Sequence, residues 1–229
     1  MIRNFLLFLF LPVMLSTPVH HMPNVVALHP VQPPQVVEGL KEALTIGTQN
    51  ATKQLSAVDG FFANAAIKVL MPREAKNVEK TLRQIGMGSL VDKTILSLNR
   101  AAEDATKSAT PIFVDAIKQM TINDAVGILR GGDSAATLYF KQKTTPALTL
   151  AFSPVIKQSL DKVDATKYWS QTFSVYNKFS TKQVNTDLTA YVTQKAIDGI
   201  FYQVALEEQK IRKDPAARVT DLLRSVFGQ

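Results

Sequence analysis

The sequence predicts an all-α fold, a single multi-helix bundle, on three observations. From Val36 onward apolar residues recur every three or four positions, the spacing of a helix face. Glycine, proline and Ser/Thr/Asp residues fall between these periodic stretches, where helix ends need them. No segment alternates apolar and polar residues with the period of two that marks a half-buried strand.

Leu40, Ala43, Leu44, Gly47, Ala51 and Leu55 define the inner face of a first helix, with Lys41, Glu42, Gln49 and Lys53 between them. VDGFFAN at 58–64 breaks it. A second helix is expected from Pro72, carrying Val78, Leu82 and Ile85 inward and ending at Gly86. Ser89-x-x-Asp92 has the pattern of a capping box for a third, running through Ile95, Leu98, Ala102 and Ala105 to about Ala109. Pro111 forces a restart, after which Ile112, Phe113, Ala116 and Ile117 continue an apolar face. Thr121-x-x-Asp124 caps a short helix, Ile122 to Arg130. Gly131 is expected as the left-handed residue that ends it, with Asp133 or Ser134 as N-cap of a helix opening at Ala135–Lys141. Thr145-Pro146 is expected to repeat that device.

The most regular stretch comes next. Asn185 or Thr186 is expected to cap a helix from about Asp187 to Lys213 in which Leu188, Val192, Ala196, Ile200 and Val204 form one row. Tyr191, Ile197, Phe201 and Ala205 widen it, and so broad a stripe predicts a central, buried helix. Asp214-Pro215 opens a last helix through Leu222, Leu223 and Val226 to Gly228.

The front of the chain reads differently. Arg3 is the only charge before residue 36, and an apolar run extends from Phe5 to Leu15, interrupted by Pro12. Eleven helical residues span about 16 Å against about 30 Å of hydrocarbon, too short to cross a bilayer. This is the pattern of a secretory signal peptide over residues 1–22, with cleavage expected between 17 and 27. Residues 23–35 form an extended, proline-rich lead-in, and 36–229 the all-α domain. Export to the periplasm or the medium is the expected localisation. Lipid attachment through a lipobox cysteine is excluded, because the chain has no cysteine.

Composition narrows the chemistry. Disulfides, thiolate nucleophiles and Cys-ligated metals are ruled out. All three histidines (His20, His21 and His29) lie in the front segment; a weak metal-binding tail is the functional reading and passing composition the preferred one. The folded part therefore has no Ser-His, Cys-His or His-metal chemistry, and neither metal nor cofactor is implied. The glycines form no phosphate loop: Arg130-Gly131-Gly132 lacks GxxxxGK[ST], and Gly86-x-Gly88 meets Val91 where GxGxxG needs its third glycine. The formal charge is +7, dispersed rather than clustered, which favours anionic surfaces weakly.

SLNRAAEDATKSATPIFVDAIKQMTINDAVGILRGGDSAATLYFK, YVTQKAIDGIF and EEQKIRKDPAARVTDLLRSVFG, in that order, resemble an uncharacterised family of secreted bacterial proteins, the domain of unknown function 4197. The resemblance covers roughly residues 38–228 and implies a helical envelope or secreted protein. It carries over no catalytic residue.

Three constellations are candidate sites. Glu207, Glu208 and Arg212 read either as a cation or sugar site or as an exposed i,i+4 ion pair worth about 0.3–0.5 kcal/mol; the pair is favoured. Asn99, Arg100, Glu103 and Asp104 read as a buried polar network, or as a single-carboxylate glycan-cleaving site built on Glu103. Trp169, Phe173 and Tyr176 share a helix face, flanked by Tyr168, Phe179, Lys167, Lys178 and Lys182. They suit a membrane interface, a glycan platform or base stacking, but core packing is favoured. The expected function is a non-catalytic, envelope-associated binding or scaffold module. Its partner would be an envelope protein, a lipid or a cell-wall polymer, with nucleic acid last. The alternatives are the glycan-acting enzyme and a lipid carrier, whose cavity of about 300 Å³ or more would be lined by Phe113, Ile200 and Phe201.

Overall fold

The structure, a computed structural model, describes residues 33–162, 166, 169, 187–214 and 224. Among them the backbone forms α1 (Pro33–Ser56), a 3-10 turn (Arg73–Ala75), α2 (Lys76–Gln84), α3 (Gly88–Thr106), α4 (Ala109–Lys118), α5 (Ile122–Arg130), α6 (Ala135–Asp161) and α7 (Leu188–Lys213). There is no strand among the described residues, and the fold is all-α.

The bundle is organised around α7, which packs against α6, α1 and α3. Leu188, Val192, Ala196, Ile200 and Val204 are all buried, and Ile197, Gly199 and Phe201 extend the buried surface around the helix. On α6 the buried residues Ala136, Phe140, Thr144, Leu148, Phe152, Ile156 and Leu160 recur at every fourth position. Four residues advance an α-helix by about 400°, so each step drifts about 40° and the row winds partly around the helix. That winding lets one helix meet α4 and α5 as well as α3 and α7.

Several local expectations hold. Thr121 accepts from the Asp124 amide while Asp124 accepts from the Thr121 amide, a complete capping box on α5. Gly86 adopts φ +82°, and Met87 N–H bonds Leu82 O at 2.8 Å while Gly86 N–H bonds Arg83 O at 3.2 Å. These are the two bonds of a Schellman ending, which favours glycine at the left-handed position.

Others are corrected. α1 begins at Pro33, earlier than Val36, because prolines are tolerated in a first turn whose amides have no partner. Ile85 points to solvent, not inward, because α2 has already ended at Gln84. Met87, not Ser89, precedes α3, and Asp92 pairs with Arg83 instead of capping. Gly131 is extended (φ −77°, ψ 169°), not left-handed; what demands glycine there is space, since a Cβ would lie 2.4 Å from that of Ala135. Asp187 caps α7 through the Ala190 amide at 2.9 Å; Asn185 and Thr186 lie outside the described residues, as does most of the expected helix after Pro215.

Thr145-Pro146 starts no helix. α6 runs through both Pro146 and Pro154. Each lies on the exposed face, where water can satisfy the carbonyl one turn back that loses its amide partner. Thr144 and Thr145 hydroxyls bond the Phe140 and Lys141 carbonyls at 2.7 and 2.5 Å, anchoring the turn before Pro146.

α7 approaches the loop after α1 closely at Gly199, where a Cβ would sit 2.4 Å from the Phe61 ring. Phe61 is itself fully buried. Gly199→Ala is expected to destabilise the fold by about 1–3 kcal/mol through overpacking, read as a lower urea midpoint at unchanged m-value.

Candidate functional site

Glu208 continues the buried row of α7, one four-residue step beyond Val204, and is itself buried. Its two carboxylate oxygens accept the Ala136 and Thr137 amides of α6, each at 2.9 Å, and the Thr137 hydroxyl at 2.8 Å. A carboxylate from a distant helix thus caps α6, where Ser134 stands at the N-cap position but makes no side-chain cap bond. Arg212 holds Glu208 through Nε at 3.0 Å and a second nitrogen at 2.9 Å. The same guanidinium donates to Ile128 O at 2.8 Å, at the C-terminal end of α5. Glu208 and Arg212 therefore splice the α5–α6 break, each with the charge sign that its helix end favours. Asp133, a candidate cap, instead pairs with Lys213 at 2.5 Å. The expectation of an exposed ion pair is corrected: the pair is a buried tertiary cap.

A second cluster follows the same logic. Val91, Ile95, Asn99 and Glu103 form a buried four-residue row on α3. Asn99 accepts from Val69 N–H and donates to Val69 O, both at 2.8 Å, and also donates to Ile95 O at 2.7 Å. One Glu103 oxygen accepts the Phe61 and Phe62 amides at 3.1 and 3.2 Å, while Arg100 donates to the other at 2.6 Å and reaches Asp59 at 2.7 Å. Asp59 has a positive φ of 68°; its guanidinium partner secures a backbone conformation that Asp tolerates better than most residues. α3 thus pins residues 59–69 by their backbone. Sequence reasoning placed Asn99 and Glu103 on one face correctly, and both turn out to be fully engaged.

Of the aromatic candidates, Trp169 is 4% exposed and belongs to the core; Phe173 and Tyr176 lie outside the described residues. The rings proposed to line a lipid cavity pack on one another instead. Phe113 meets Phe140 and Phe201 edge to face at 5.4 and 6.1 Å. Among the described residues no group of three or more His, Cys, Asp or Glu side chains is placed to hold a metal, and no helix is long and apolar enough to cross a membrane.

Two of the surface clefts border the long helices α3 and α7. One, of about 460 Å³, lies beside α3 between the ends of α1 and α6, lined by Ser56, Arg100, Asp104, Lys107, Ser159 and Lys162 among others. Asp104 bonds Lys107 at 2.8 Å and Ser159 at 3.2 Å. The Lys107 hydrogen bond holds its carboxyl below the ordinary carboxylate range. The other, of about 390 Å³, gathers Lys68 and Leu70 from the loop with Tyr191, Lys195, Asp198 and Tyr202 from α7. Tyr191 closes it by bonding Leu70 O at 2.9 Å. Sequence reasoning missed this groove because its two sides lie more than a hundred residues apart; the only sequence signal was Tyr191 and Lys195 at i,i+4.

Removing Glu208 takes the carboxylate from Arg212 and leaves the Ala136 and Thr137 amides without their cap. Glu208→Ala is expected to cost about 3–5 kcal/mol in a denaturant titration, the range for breaking a buried pair. For Asp104 the folded-state pKa is depressed, so its contribution is complete above the unfolded value of about 4 and is lost as pH falls through the folded value. A thermal melt against pH is expected to show this acid loss in the native chain and a smaller one in Asp104→Asn.

No curated protein and no solved structure matches the chain. The family DUF4197, described as proteins of unknown function, matches residues 31–228. These bounds take in every described helix from α1 to α7, together with the resembling motifs read from the sequence. The chain belongs to the DUF4197 family.

Proposed function

We propose that the chain is an exported, envelope-associated binding or scaffold module that acts without catalysis. The observation that carries this reading is the occupancy of the two buried acids. Each oxygen of Glu103 and of Glu208 is filled by backbone amides, a hydroxyl or an arginine. A general acid or base needs a free edge within reach of a substrate proton; these carboxylates spend theirs on the fold. The described surface clefts gather lysine, serine and tyrosine with the acids Asp104 and Asp198, and Asp104 is already held by Lys107 and Ser159. Export is supported by the composition of the front segment, Arg3 followed by the apolar run Phe5–Leu15. The basic excess favours anionic envelope components.

The test is fractionation of the full chain in a bacterial host, followed by co-sedimentation of the purified protein with envelope material. The expected outcome is recovery with the envelope and sedimentation that weakens as salt rises. Residence in the cytoplasm would overturn the reading. So would hydrolysis of an envelope polymer that Glu103→Gln abolishes while the variant stays folded.

A further inference from the structure

We propose that the turn joining α2 to α3 is a docking tip for an anionic lipid bilayer, with Ile85 and Met87 entering the interface and Lys76, Lys80 and Lys93 facing the headgroup phosphates. The proposal rests on the reading of the chain as an envelope protein and names a surface and a partner that the reading leaves open.

The tip is built for exposure. Ile85 is 64% and Met87 41% exposed, on either side of Gly86, whose φ of +82° and Schellman bonds fix the turn. The apolar pair is thus presented by a rigid bend rather than a loose loop. α2 buries none of its residues fully; only Val78 and Leu82 lean on the core. Arg83 clasps the two arms, bonding Glu79 within α2 at 3.0 Å and Asp92 of α3 at 2.8 Å. That consumes the acidic groups Glu79 and Asp92. Lys76, Lys80 and Lys93 form no ion pair among the described residues. The outer face of α2 also carries a shallow hollow of about 530 Å³ between Lys76, Lys80, Arg83 and Glu79, open enough for a phosphate headgroup.

Exposed apolar side chains alone signify little. Here they share one helical hairpin with cations that form no ion pair among the described residues, and that combination selects the occupant. A cell-wall polymer would satisfy the lysines and leave Ile85 and Met87 in water. An anionic bilayer satisfies both, since its interface accepts apolar side chains while the surface potential attracts Lys and Arg within a Debye length. α2 is too short and too polar to span; the tip would lie on the membrane.

The chain has no cysteine, so Met87→Cys gives one thiol for an environment-sensitive fluorophore in the full-length protein. Leu150→Cys, at a position 79% exposed on α6, is the control. With vesicles of equal phosphatidylglycerol and phosphatidylcholine, the label at 87 is expected to shift blue and brighten while the label at 150 does not change. Pure phosphatidylcholine vesicles are expected to give no response at physiological salt. Replacing Lys80 and Lys93 by Glu is expected to weaken partition by about tenfold or more, each lost cation counting about fivefold. A silent label at 87, an equal response at 150, or a response independent of phosphatidylglycerol would overturn the proposal. The label also separates the tip from the apolar run Phe5–Leu15, which would bring the chain to vesicles without moving position 87 into lipid. Envelope co-sedimentation with a silent label removes the tip and leaves the envelope reading standing; loss of both removes both.

Discussion

A buried helix end must find partners for its free amides and carbonyls, and in this chain two long helices supply them to their neighbours. The α5–α6 break meets α7 through two side chains: Glu208 takes the Ala136 and Thr137 amides of α6 and Arg212 the Ile128 carbonyl of α5. The loop after α1 is held the same way by Asn99 and Glu103 of α3. An unsatisfied buried amide costs about 1–3 kcal/mol, comparable with a large part of a domain's net stability. Ala136, Phe61 and Val69 can be buried at these breaks only because the side chains reach their amides.

That constraint shapes what the surface can do. Glu103 and Glu208 face inward with both oxygens engaged, and the surface clefts are lined by lysine, serine and tyrosine together with the acids Asp104 and Asp198. α1 and α7 are also joined by a polar seam, Asn50 with Glu207 at 3.4 Å and Gln54 with Gln203 at 2.9 Å. It fixes the register of two helices whose apolar faces alone would tolerate sliding. Rigid interior and basic exterior are two results of one allocation of polar groups.

The architecture was legible because helix faces and helix stops are local. The α7 row, the Thr121–Asp124 box and the Gly86 ending each depend on residues within a turn or two of one another. The joints that failed to follow their local pattern are those decided by distant partners. Ser134 was a plausible cap, yet the cap is Glu208, more than seventy residues on. Ser89-x-x-Asp92 had the right letters, yet Asp92 answers Arg83. Pro146 looked like a helix start, but it falls where α6 faces solvent and the helix runs through it. One signal was present and went unused. Glu208 continues the row Leu188–Val204, and Asn99 and Glu103 continue Val91–Ile95, at the same four-residue step. A polar residue that extends an apolar row is placed to be buried, and so must have backbone or charge waiting for it.

The most direct measurement is residue-resolved amide hydrogen exchange in the full chain. Ala136 and Thr137 occupy the first turn of α6, and Phe61, Phe62 and Val69 lie in a loop; by secondary structure alone such amides exchange quickly. The account expects all five to be protected as strongly as the interior of α7, and Glu208→Gln to weaken protection at 136 and 137 while sparing 61, 62 and 69. Fast exchange at Ala136 and Thr137 in the native chain would contradict it, because α6 would then begin without the cap on which the packing of α5, α6 and α7 is argued to depend.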